Sequence, residues 1–171
     1  MGKLEFWTKW KMWIIPFLIG SITLILDIVT KYLVEAKLPW PNNLEYFGGF
    51  LRISLVHNTG GVFGIFQGKA HIFLIVSIIV LILMIIFWIF EKNKSMVFNI
   101  TMSLITSGAI GNIIDRIMPS RIGVVDFISV GVDGVYRWPS FNVADACIVV
   151  GAILLIIVFH KSEKEARKNS E

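Results

Sequence analysis

Apolar positions along the chain gather into four long runs, near 13–33, 72–90, 96–114 and 143–159, with polar and charged residues crowded between them. Each run approaches the roughly 20 helical residues needed to cross a hydrocarbon layer about 30 Å thick. The first resembles a signal peptide in position, but no A-x-A-like site follows it and Asp27 and Lys31 interrupt its end, so it is read as a retained helix. Between the runs the period changes. "FGGFLRISLVHN" alternates Leu51, Ile53 and Leu55 with Arg52 and Ser54, the spacing of a half-buried strand. "GVVDFISVGVDGVYRW" sets β-branched and aromatic residues around a Val-Asp-Gly turn at 132–134, a hairpin pattern. These patterns predict an all-α polytopic membrane protein: four transmembrane helices carrying a small extracytoplasmic β-sheet cradle, as one domain over 1–171.

Composition agrees with that reading. Of 171 residues, 56% are hydrophobic and 16% charged, which fits a polytopic membrane protein better than a soluble domain. The formal charge of +4 does not point to nucleic acid, because the basic residues are dispersed and flank the apolar runs. Counted by side, Lys3, Lys9, Lys11, Lys92, Lys94, Lys161, Lys164, Arg167 and Lys168 outnumber Lys37, Arg52, Lys69, Arg116, Arg121 and Arg137. Positive charge stays inside, so both termini and the short turn at 91–95 are expected in the cytoplasm. The loops at about 34–71 and 115–142 are then expected outside, and the tail at 160–171 is a solvated, fraying helical end.

Chemistry is limited by what the chain lacks. Cys147 stands alone, and His57, His71 and His160 form no HExxH pair, so neither a disulfide nor zinc-peptidase chemistry has support. No Ser/His/Asp or Cys/His set is evident, and Cys147 reads as a small core residue. Ser103, Ser107 and Gly111 recur every four residues, a packing stripe that lets another helix approach. Asp27 and Lys31, spaced i, i+4, read as an intrahelical pair that neutralises itself, and Asp115 with Arg116 as an interfacial pair. Asn142 is placed to cap the fourth helix, with Asp145 at its third position, where a carboxylate suits the helix dipole.

Asp126 has no such local explanation, lying in an apolar strand between Val124, Val125, Phe127 and Ile128. A charge at a membrane boundary is costly unless it is paired or functional. Two carboxylates held close cannot both ionise easily, and such a pair can hold one proton while activating a water. A transporter or channel would also use intramembrane acids, but these lie at one boundary and mark no path across the bilayer. A scaffold built on the small-residue stripe would leave Asp126 without a purpose.

"HNTGGVFGIF" at 57–66, "GNIIDR" at 111–116, "VVDF" at 124–127 and "FNVAD" at 141–145 together resemble the lipoprotein signal peptidases, signal peptidase II, across about residues 27–159. The resemblance implies an aspartic endopeptidase of the bacterial cytoplasmic (inner) membrane. Such an enzyme removes signal peptides from diacylglyceryl-modified prolipoproteins, cutting just before the lipidated cysteine. It implies Asp126 and Asp145 as the catalytic pair and Asn58, Asn112, Arg116 and Asn142 as substrate-binding residues, with Gly60 and Gly61 in a loop lining the site. Asp27, Lys31 and Asp115 remain structural polar residues. No metal or cofactor is implied; the expected partners are prolipoprotein substrates and membrane lipids, for a chain expected to be monomeric with its site at the extracytoplasmic face. The family's architecture also includes a short helix outside the membrane. Two departures stand out: Gly60-Gly61-Val62-Phe63 replaces the usual Gly-Ala-Ala-Phe, and "IMPSRI" after Arg116 is longer than usual. Both bear on substrate fit and loop geometry.

Overall fold

The computed structural model describes residues 3–61, 65–92 and 94–168. In chain order the elements are α1 (Lys3–Lys37), β1 (Asn43–Tyr46), β2 (Leu51–Asn58), α2 (Ala70–Phe90), α3 (Met96–Ile117), β3 (Val124–Val132), β4 (Tyr136–Arg137) and α4 (Val143–Lys168). Each helix contains a stretch long and apolar enough to cross a membrane. The helices outrun the apolar runs: α1 extends at both ends, α3 gains a turn that carries Asp115 and Arg116, and α4 continues into the charged tail. Backbone hydrogen bonds saturate inside a helix whatever the side chains, so polar ends can prolong an apolar span. Among the described residues there is no short helix outside the membrane beyond these four.

The centre of the bundle is α3, which packs against all three other helices. Its buried face is polar as well as apolar, with Asn99, Thr101, Ser103, Thr106, Ser107, Asn112 and Asp115 beside Phe98, Met102 and Ile105. By contrast α2 buries no residue, since lipid surrounds a helix that is apolar all round. The small-residue stripe faces α1. Ser103 Oγ donates to the Pro16 carbonyl at 2.5 Å, and Ser107 Oγ and Thr23 Oγ1 share a hydrogen bond at 2.9 Å. A Cβ on Gly111 would lie 2.5 Å from Asp27 Oδ2, so only glycine admits that carboxylate between α1 and α3.

Pro16 supplies no N–H, which leaves the Met12 carbonyl without its partner four residues on. Asn99 of α3 fills the gap, donating from Nδ2 to that carbonyl at 3.1 Å and accepting from Trp88 Nε1 at 2.8 Å. A proline inside a membrane helix is thus made tolerable by a neighbouring helix, as lipid requires.

The sheet has the order β1-β2-β3-β4, antiparallel throughout, and β3 rests on α1 and α3. The expected hairpin forms, with Val132 opposite Tyr136 and Gly134 at a positive φ of 78°. The strict alternation expected around Leu51, Ile53 and Leu55 is absent, because β2 is half-buried on both faces. Val124, Val125, Asp126 and Phe127 are buried in succession for the same reason. Strand β1 was not foreseen, its four residues being exposed and without an apolar period.

Candidate active site

Three stretches of backbone bring the site together. Opposite Asp126 in the β2–β3 ladder stands Val56, after an irregularity between Ile53 and Val56. Two residues further along the same face, Asn58 reaches back and donates from Nδ2 to Asp126 Oδ2 at 3.1 Å. On the other side Phe141 bridges Ile128, exchanging hydrogen bonds of 2.9 Å in both directions. That register carries Asn142 alongside Asp126, and its Nδ2 donates to Asp126 Oδ1 at 2.7 Å.

Asn142 also opens α4. Its Oδ1 accepts the Asp145 backbone N–H at 2.8 Å, while Asp145 Oδ2 accepts the Asn142 backbone N–H at 3.3 Å. This reciprocal pair is a capping box with aspartate in the usual glutamate position. The capping role and the proximity of the two acids therefore hold together, with both carboxylates hydrogen-bonded to one asparagine. Asn112 completes the ring: its Nδ2 donates to Asp145 Oδ1 at 2.7 Å, and its Oδ1 accepts from Asn142 Nδ2 at 3.1 Å.

Burial, and after it the charge of Asp145, pushes the Asp126 carboxyl from 3.8 up to about 7. Hydrogen bonds from Asn58 and Asn142 and the charge of Lys31 oppose that rise without cancelling it. At neutral pH the pair can thus hold one proton, the condition for one acid and one base in the same site.

Arg116 lies beside the pair, its charge facing both carboxylates. Its Nη2 donates to the Gly60 carbonyl and its Nη1 to the Asn112 carbonyl, each at 3.2 Å, while Nε is buried with no partner among the described residues. The Gly60–Gly61 segment folds tightly on itself. Gly60 N–H donates to Asn58 Oδ1 at 3.0 Å and Gly61 N–H to the Ile65 carbonyl at 2.8 Å. A Cβ on Gly60 would meet the Ile65 carbonyl oxygen at 2.3 Å, and one on Gly61 the Phe73 ring at 2.2 Å, so close approach explains both glycines. Val62 lies outside the described residues.

The structural acids differ from expectation in their partners. Lys31 is wholly buried and pairs with Asp27 at 2.6 Å, as its spacing suggested, but also with Asp115 at 2.8 Å. Asp115 does not pair with Arg116. It binds Lys31 and Arg121, and accepts the Val125 N–H at 3.1 Å, because the end of α3 turns it inward while Arg116 points to the site. Arg121, in the longer "IMPSRI" segment, joins Asp115 to Glu35. Asp27 accepts the Ala144 N–H at 2.9 Å, fastening α1 to the start of α4. Glu35 was missed, although Asp27, Lys31 and Glu35 recur every four residues on one helical face. For Arg121 no local pattern existed. Among the described residues no three histidine, cysteine, aspartate or glutamate side chains gather so as to hold a metal ion.

The Signal peptidase (SPase) II family model matches residues 19–161. Lipoprotein signal peptidases of Staphylococcus aureus strains JH9 and Newman are each 37% identical over 155 residues, covering 88% of this chain and 93% of their own. A bacterial membrane enzyme solved by the in meso method at 2.3 Å superposes with a TM-score of 0.78 at 35% identity, over 88% of this chain and 90% of that one. A second, solved by the same method at 1.9 Å, gives 0.72 at 35% identity over 84% and 91%. A match that takes in all four helices and both acids, on a shared fold, means that this chain belongs to the signal peptidase II family and is a peptidase of the bacterial inner membrane.

Proposed function

We propose that the chain removes signal peptides from diacylglyceryl-modified prolipoproteins, cutting just before the lipidated cysteine, and that Asp126 and Asp145 activate the attacking water. The observation that carries this reading is the sharing of Asn142 by both carboxylates where three spans meet the sheet. Asp145 is the ionised member: it sits in the first turn of α4, where the helix dipole favours an anion, and faces Arg116 and Lys31. Asp126 holds the shared proton.

Water bound between them loses a proton to Asp145 as its oxygen attacks the scissile carbonyl carbon, and Asp126 gives its proton to the carbonyl oxygen. The resulting tetrahedral diol collapses with cleavage of the C–N bond, the proton on Asp145 passing to the leaving nitrogen of the cysteine. A hydroxyl proton of the diol returns to Asp126 as the new carboxyl group forms. Asn58, Asn112 and Asn142 carry both donors and acceptors, which suits them to hold the peptide backbone and the acids in register. Arg116, fixed in charge, holds a substrate carbonyl or the Gly60 loop in place.

Substrate arrives sideways from lipid, since its signal helix and acyl chains are both membrane-soluble. The charge bias supports a topology with both termini in the cytoplasm and the dyad at the outer face. Asp126→Asn and Asp145→Asn are each expected to lower turnover of a lipidated prolipoprotein by about a thousandfold or more while leaving a folded protein. Full activity in either purified variant removes that residue from the chemistry. Proton flux in liposomes without peptide cleavage would favour a transporter instead.

A further inference from the structure

Asn112 touches a dyad carboxylate with one end of its amide and a buried lysine with the other. Lys31 Nζ has three N–H donors and no acceptor, and three partners take them: Asp27 Oδ2 at 2.6 Å, Asp115 Oδ2 at 2.8 Å and Asn112 Oδ1 at 3.2 Å. An ammonium cannot accept a hydrogen bond, so the Asn112 carbonyl must face it and the amide nitrogen must face Asp145. Reversing that amide would set Asn112 Nδ2 against the ammonium and against Asn142 Nδ2, and turn a carbonyl oxygen toward a carboxylate. Asn142 is constrained in the same sense, because the Asp145 backbone N–H that its Oδ1 accepts can only donate. Its Nδ2 thereby faces Asp126 Oδ1, Asn112 Oδ1 and the Val125 carbonyl.

We propose that Lys31 is a positioning residue for hydrolysis, its donor-only ammonium helping to hold Asn112 in the orientation where its amide nitrogen donates to Asp145. This inference rests on the dyad reading above. It gives a buried cation in α1 a role that a self-neutralising pair with Asp27 does not require, since neutralising Asp27 does not call for a third N–H aimed at Asn112 Oδ1.

Charged and titratable groups surround the lysine and the dyad: Asp27 and Glu35 on α1, Asp115 and Arg116 on α3, Arg121 beyond it, Asp126 on β3, and Asp145 and Cys147 on α4, while His57 on β2 lies on the face opposite Asp126. Removing the lysine alone would leave Asp27 and Asp115 short of a cation. The charge-balanced variant Asp27→Asn/Lys31→Met avoids this and removes the hydrogen bond to Asn112 together with the lysine's charge beside the dyad.

The experiment measures kcat and KM against pH for purified wild type, Asp27→Asn, Asp27→Asn/Lys31→Met and Asp126→Asn with a diacylglyceryl-modified prolipoprotein, alongside thermal melts. In the methionine variant the ionised pair loses a fixed donor. Its kcat is expected to fall about tenfold, KM to stay within about twofold, and the acid limb of kcat to move up by about one pH unit. Asp27→Asn keeps the lysine, and its acid limb is expected at or below the wild-type position. A wild-type profile in the folded methionine variant, even with a lowered melting temperature, overturns the proposal. So does the same upward shift in Asp27→Asn alone. If the methionine variant does not fold, Asp27→Asn/Lys31→Gln carries the comparison, with a limb between the two extremes; a wild-type profile there also overturns it. Turnover by Asp126→Asn would instead sink the dyad reading, whereas a dead Asp126→Asn beside a normal double variant would sink only the role of Lys31.

Discussion

Asp126 sits in a buried strand, and the proposed mechanism asks it to exchange a proton at neutral pH. A folded-state value near 7, against 3.8 for a free side chain, means that folding favours the protonated acid. Between about pH 4 and pH 7 the native state binds more protons here than the unfolded chain, so this residue's contribution to stability declines as pH rises through that window. Asp126→Asn removes the effect, and its melting temperature relative to wild type is expected to climb from about pH 4 to about pH 7 and level off above. A gap that stays flat with pH would contradict a buried, proton-holding Asp126. Asn142 has two separable duties, capping α4 and donating to Asp126. Asn142→Ala is expected to cost about 1 kcal/mol of stability and at least about tenfold in kcat. Asn142→Ser restores the cap but is too short to reach Asp126, so the melt should recover while kcat does not; recovery of both would show that capping is its whole role. At this scale the acids and asparagines were legible through the family's motifs, and Asn142 through its position before an apolar run. Their wiring was not: nothing near Lys31 in the chain points to Asn112, 81 residues away.

The helices obey the demand that every backbone group be satisfied within lipid. Pro16 breaks that rule inside α1 and Asn99 repairs it from α3. Asn99→Leu is expected to destabilise the protein by about 1–3 kcal/mol by orphaning the Met12 carbonyl and the Trp88 indole N–H, read as a lower melting temperature in detergent. Little change would mean that those groups find other partners. The contact of α1 with α3 is close enough at Gly111 to seat Asp27, and Gly111→Ala is expected to weaken the fold by about 1–3 kcal/mol through displacement of that carboxylate. The four helices could be seen in the sequence because lipid allows few alternatives to a long apolar helix. Strand β1 could not, because its side chains are exposed and only its pairing with β2 defines it. The buried run in β3 hid its period for the opposite reason, being covered on both faces.

Seen whole, the molecule is more polar at its centre than at its rim: α3 buries amides, hydroxyls and a carboxylate, while α2 shows lipid an apolar surface. That inversion lets the buried polar cluster, proposed above as the hydrolytic site, be assembled at one end of a bundle without exposing charge to hydrocarbon. The proposed orientation rests on the lysine and arginine bias and can be checked by labelling. With Cys147→Ala as background, Val135→Cys in the exposed β3–β4 turn should react with an impermeant maleimide in intact cells, and Ser162→Cys in the tail only after permeabilisation. The reverse pattern would invert the topology.

The most direct test is digestion of a prolipoprotein by the purified protein, with and without its diacylglyceryl group, mapping the cut by mass spectrometry for wild type and Asp126→Asn. A single cut immediately before the cysteine, requiring the lipid and lost in the variant, is the expected result. Cleavage elsewhere, equal cleavage without lipid, or an active Asp126→Asn would contradict the assignment of this carboxylate pair to lipoprotein processing.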